Sequence, residues 1–221
     1  MSSLPVLLSA LALMQSAPMT EAGKAVQAEE AARLANCLEL VETDPETAYE
    51  DGLAWLSAGG RPGARHCTAV ALIALGHADE GAARLEELAN APDAGGLEER
   101  RTYLTKAGSA WLLAGAPEAA IVAVDNALKL APGDPGLLTD RASASLAMEQ
   151  WQTAVNDLDL VLADLPTNSE ALELRARALK ELGRYDAALA DVNAARSGAP
   201  DNIELLVLRG DIREAARLSG H

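Results

Sequence analysis

The chain has 221 residues, enough for one large domain or two small ones, and a hydrophobic content of 49% excludes a disordered tail as its main character. Phe is absent and aromatics make up only 3%, so closely packed helices suit the composition better than a β-sandwich. Thirty-three acidic against eighteen basic residues give a net charge of −15, which repels phosphate backbones and anionic lipid surfaces, so no nucleic-acid partner is expected.

Residues 4–14 form an apolar run of eleven, too short to cross a bilayer but of the length of a secretory signal core. No Lys or Arg precedes the run, and small residues favour cleavage after Ala22 or Ala25. Residues 1–22 are therefore read as a signal peptide, which places the mature protein in the periplasm or outside the cell. If the run is instead an apolar first helix packed on the rest, the protein is cytoplasmic. No later segment is long and apolar enough to cross a membrane, so no membrane insertion is expected after signal removal.

A single helical domain is expected over 24–218. It opens with a helix pair within 24–60. The first helix is patterned by Ala25, Ala28, Ala32, Leu34, Leu38 and Val41, and the second is started by the capping Asp44 and by Pro45. The Gly-rich stretch 57–63 separates this pair from the next, which spans 62–96 and turns at Gly76 and His77.

From 101 onward the sequence repeats with a period of 34 residues: Pro132, Pro166 and Pro200 share it, as do Leu104, Leu138, Leu172 and Leu206, and Gly108, Ala142, Ala176 and Gly210. The units are 101–134, 135–168 and 169–202, each two helices of about 14 residues, followed by a capping helix over 203–218 with Asp211, Arg213, Glu214 and Arg217 on a wet face. Asp134, Asn168 and Asn202 are placed to cap the helices that follow them. The turn glycines Gly115 and Gly183 have no counterpart in the middle unit, where Glu149 stands.

These positions resemble the tetratricopeptide repeat family, through Trp111, Ala120 and Pro132 in one unit, Trp151, Ala154 and Pro166 in the next, and Tyr185, Ala188 and Pro200 in the third. The segment 62–96 resembles a degenerate unit with extra loop residues. The resemblance implies an all-α fold, a right-handed α-solenoid of antiparallel helix pairs. It also implies that ligands lie in a concave groove lined by the first helix of each unit. Carried over, the groove residues are Thr105, Lys106, Ser109 and Leu112, then Thr139, Asp140, Ser143 and Leu146, then Glu173, Leu174, Arg177 and Lys180. That mixed surface suits a protein or peptide segment with polar and apolar contacts. The cluster of basic side chains with which some members hold a peptide's terminal carboxylate is not matched here. Self-association through the edges of the stack is a further expectation to test.

Cys37 and Cys67 are the only cysteines. Helix heights at ~1.5 Å per residue put both near the same level on neighbouring helices, so a stapling disulfide is feasible; two buried thiols or a thiol-dependent envelope enzyme or redox factor are the other readings. His66 adjoins Cys67, but neighbours on a helix point about 100° apart, and no CxxC or HExxH spacing occurs. The chain is accordingly read as a non-catalytic interaction scaffold with no cofactor and no metal.

Overall fold

The computed structural model describes residues 20–59 and 61–220. The segment read as a signal peptide lies almost wholly outside them. Among the described residues there are eleven helices and no strand: α1 Glu21–Thr43, α2 Pro45–Ser57, α3 Pro62–Ala74, α4 Ala78–Asn90, α5 Leu97–Leu113, α6 Pro117–Leu130, α7 Pro135–Ala147, α8 Trp151–Asp164, α9 Ser169–Glu181, α10 Tyr185–Gly198 and α11 Ile203–Ser219. Each helix packs on the next in the chain, which makes the molecule a stack rather than a bundle around one centre.

Local chemistry explains the punctuation. Asp44, Asp134, Asn168 and Asn202 each accept a hydrogen bond from a backbone N–H in the first turn of the following helix, satisfying donors the helix cannot. The turns inside the units close by left-handed residues: Gly115 and Gly183 both have φ of 71°, and Glu149 adopts φ of 58° at the same place. A side chain there is strained, because Cβ crowds the following carbonyl. The turn is nonetheless kept, with Gln150 N–H donating to Ser145 O at 2.8 Å, as Arg184 N–H donates to Leu179 O.

Packing inside the units is close because small residues sit where helices cross. Ala120, Ala154 and Ala188 are fully buried, and a Cβ added at Gly108 would come within 2.6 Å of Val124. A bulky residue at Ala154 would force the pair apart at a cost of about 1–3 kcal/mol.

The first helix departs from its sequence pattern. Ala25, Ala28 and Ala32 are exposed, and the face that packs is made by Leu34, Cys37 and Val41. The first half of this 23-residue helix instead borders an open hollow with the start of α3, the 93–95 loop and Tyr103, and touches that side through the Glu30–Arg61 pair. Trp55 is buried in this end's core, with the Arg33 guanidinium 4.6 Å from its ring.

The concave side follows from which helices meet across a unit. α5 touches α7, α7 touches α9 and α9 touches α11, whereas no comparable contact joins α6 to α8 or α8 to α10. The odd-numbered row is the closer spaced, so it lines the inside of the curve.

Candidate peptide-binding groove

All twelve residues expected to line the groove lie on the odd-numbered row, four each on α5, α7 and α9. Their chemistry is not uniform. Thr139 is buried and its hydroxyl donates to Pro135 O of its own helix at 2.9 Å, so it offers nothing to a ligand. Thr105 and Ser109 likewise donate to backbone oxygens of α5. Ser143 and Leu112 are half-buried, and Leu146 and Leu174 pack partly against the core of the last units.

The charged members are better placed to meet a partner. Glu173 pairs with Arg177 at 2.6 Å and Lys180 with Glu181 at 3.0 Å, and Arg177 keeps about half its side chain in solvent. Asp140 takes part in no ion pair or hydrogen bond among the described residues. Burial, with Glu170 and Asp134 nearby, pushes its carboxyl up to about 6. It borders a hollow of about 280 Å³ with Arg101, Thr105, Asn168 and Glu170, where Arg101 is already held by Glu98 and Asp134.

The larger hollow of the inner face, about 500 Å³, lies further along, between α7, α9 and α11. Leu146, Trp151, Ile203 and Val207 supply apolar walls; Arg177, Lys180 and Asp211 supply charge. The groove thus continues onto α11 through Val207, Leu208 and Asp211, which stand 34 residues after Glu173, Leu174 and Arg177. The period that marks the units would have found them; treating α11 only as a cap hid them.

Outside the groove, Cys37 and Cys67 have Cα atoms 6.0 Å apart, with their sulfurs at bonding distance. His66 is buried between α3 and α5, edge-on to Tyr103 at a centroid distance of 5.0 Å, and its Nε2 has no hydrogen-bond partner among the described residues. Burial first, and the Lys106 charge second, hold its pKa down at about 4, so it stays neutral. Among the described residues no cluster of His, Cys, Asp and Glu could hold a metal.

A second set of charges repeats with the units and was not read from the sequence. Arg141 on α7 binds Asp157 on α8 through Nε and Nη2, at 2.8 and 2.6 Å, and Asp125 on α6 through Nη1 at 2.9 Å. Arg175 on α9 repeats this with Asp191 on α10 and Asp159 on α8. Every position of the second bridge is 34 residues after its counterpart in the first. In the unit before, Ala107 and Ala123 stand in place of the Arg and its buried Asp, so both partners are missing together.

No protein-family model matches the sequence, and no curated protein sequence is similar to it. Solved structures do match. A thermophilic TPR protein of Thermus thermophilus is 22% identical, with a TM-score of 0.57 over 83% of this chain and 98% of that one. The Arabidopsis OM64 TPR domain is 26% identical, with a TM-score of 0.51 over 54% of this chain and 98% of its own. The second TPR domain of human RPAP3, solved with the HSP70 peptide SGPTIEEVD, is 20% identical, with a TM-score of 0.50 over 53% and 98%.

Proposed function

We propose that this chain, which has the tetratricopeptide-repeat fold, is a non-catalytic scaffold that binds a peptide or protein segment along its concave row of helices. The observation that carries the reading is the hollow between α7, α9 and α11, where apolar walls and paired charges face the same open space. A segment lying there buries an apolar side chain against Trp151 and Val207 while its polar groups meet Arg177, Lys180 and Asp211. Further along, the unpaired Asp140 carboxylate favours a cationic side chain, since a positive neighbour would reverse the rise in its pKa. An acidic peptide such as the HSP70 peptide solved with the human RPAP3 domain fits this half of the groove poorly, because Asp134, Asp140 and Glu170 would repel it.

The same reading extends to location. A Cys37–Cys67 disulfide and export to the periplasm support one another, because such bonds persist in oxidising compartments. Thiol titration of the unreduced protein is expected to find no free thiol, and two free thiols would remove the bond and weaken the export argument.

The groove is tested by capture from an envelope extract, followed by mass spectrometry, with a Lys106→Ala, Asp140→Ala, Arg177→Ala protein beside the wild type. Partners held by the wild type are expected to be lost from the triple variant. Equal capture by both would rule out the concave row as the binding surface.

A further inference from the structure

We infer that the α11 edge of the stack is a second docking site, distinct from the groove, which takes an acidic amphipathic helix of a partner protein in the place where the next outer helix of a solenoid would lie. Three positions on α11 that serve an outer helix elsewhere in the molecule have none among the described residues, where α11 runs on past Arg217, 34 residues after the turn glycine Gly183. Leu206 continues the series of Leu104, Leu138 and Leu172, each at most 7% exposed, yet Leu206 is 41% exposed. Gly210 continues the series of Gly108, Ala142 and Ala176; the first is pressed by Val124 of its outer helix, whereas a Cβ at Gly210 would meet nothing within 4 Å. Arg209 continues Arg141 and Arg175, which each hold a carboxylate from the outer helix on either side.

Arg209 holds none. Asn193 occupies the position of Asp125 and Asp159 on the preceding outer helix, and among the described residues no helix brings the counterpart of Asp157 and Asp191. Its Nε is buried without a hydrogen-bond partner among the described residues, and so is the Nε of Arg196. Both guanidinium groups, with that of Arg213, lie close enough for Arg213 and Arg196 to lower the proton affinity of Arg209. A cationic cluster with unfilled donors, in a chain of net charge −15, sets the sign of the occupant. It also opposes a symmetric pairing of two such edges, which would bring Arg196, Arg209 and Arg213 against their own copies. Leu206 and the open space at Gly210 call for an apolar side chain at helical spacing from the carboxylate. That pattern is the molecule's own: on α8, Asp157 meets Arg141, Leu158 is fully buried, and the helix carries three carboxylates and no basic side chain.

A labelled peptide of residues 151–165 is therefore the probe, read by fluorescence polarisation against the full chain. Saturable binding is expected, weakened about tenfold or more by Asp157→Asn in the peptide, and equally by Arg209→Gln or Leu206→Asp in the protein, since each removes one side of a desolvated contact. Helicity and melting of the two protein variants, followed by circular dichroism, should match wild type, because Leu206 is exposed and the Arg209 side chain makes no hydrogen bond or ion pair among the described residues. The groove variant with Lys106, Asp140 and Arg177 replaced should bind the peptide as wild type does, so this site and the groove fail separately. Absence of saturable binding up to millimolar peptide overturns the inference, as does undiminished binding when Asp157→Asn peptide meets Leu206→Asp protein. Light scattering that shows a dimer abolished by Leu206→Asp would assign the edge to a second copy of the chain and overturn it as well.

Discussion

The two ends of the stack hold neighbouring helices together by different means. From α1 to α5 the contacts are a cysteine pair and buried rings: Cys37 against Cys67, Trp55 under Arg33, and His66 edge-on to Tyr103. From α6 to α10 the same task falls to Arg141 and Arg175, each clamped between two carboxylates, over a core of Ala, Leu and Val. The irregular end needs contacts specific to its own sequence, because the 34-residue register is broken there: Gly76 and Gly115 mark equivalent turns 39 residues apart. The regular end can reuse one arrangement, because the geometry between successive helices recurs. A charged bridge with its carboxylate buried is tolerable only where its partner is placed reliably, and repetition supplies that placement.

The contrast can be broken from either side. The largest effect is expected from Cys37→Ser with Cys67→Ser: the proposed bond would close a loop whose length stabilises by roughly 3 kcal/mol, and hydrogen exchange should locate the loss in α1–α3 while α7–α10 keep their protection. Somewhat less, on the order of 2–3 kcal/mol, should follow acidification. His66 has a folded pKa of about 4 against an ordinary 6.5, so the unfolded chain takes up the proton first. Its contribution is complete above about pH 6.5 and is lost as pH falls toward 4. Denaturant titrations at pH 7 and pH 4 on wild type and His66→Phe would show it, the variant having the smaller difference between the two pH values.

In the regular end, Asp157→Asn should cost about 2 kcal/mol, because Arg141 keeps only Asp125 as a charged partner. Urea unfolding of this variant should give the loss, and hydrogen exchange should place it in α7 and α8, leaving α1–α3 unchanged. The smallest change runs the other way: Glu149→Gly should raise stability by about 1 kcal/mol, by relieving a left-handed residue at a turn where the neighbouring units have glycine. A melting temperature unchanged or lowered in that variant would contradict the strain at Glu149.

Much of the fold was legible in the residues, since a period shared by Pro, Leu and small residues reports helix pairs, and Asp or Asn before a helical run reports its start. The twelve residues expected to line a groove were legible as a row, and they do stand on α5, α7 and α9. Their availability was not: Thr139 turns its hydroxyl onto Pro135 O, and the row runs on to Val207 on a helix read only as a cap. The Arg–Asp bridges obey the same period and could have been found by aligning the units for charge as well as for apolar residues.

What the sequence by itself determined is therefore what depends on neighbours along the chain: helix starts, turns, the pairing of helices and the spacing of small residues. Tertiary structure alone decided which of two identical side chains is inside. Leu172 and Leu206 occupy the same place in the repeat, yet one is 5% exposed and the other 41%. Arg175 and Arg209 likewise share a place, one clamped by two carboxylates and the other, among the described residues, by none. The physical reason is that burial and charge pairing belong to a pair of surfaces, and a repeat pattern specifies only one of them.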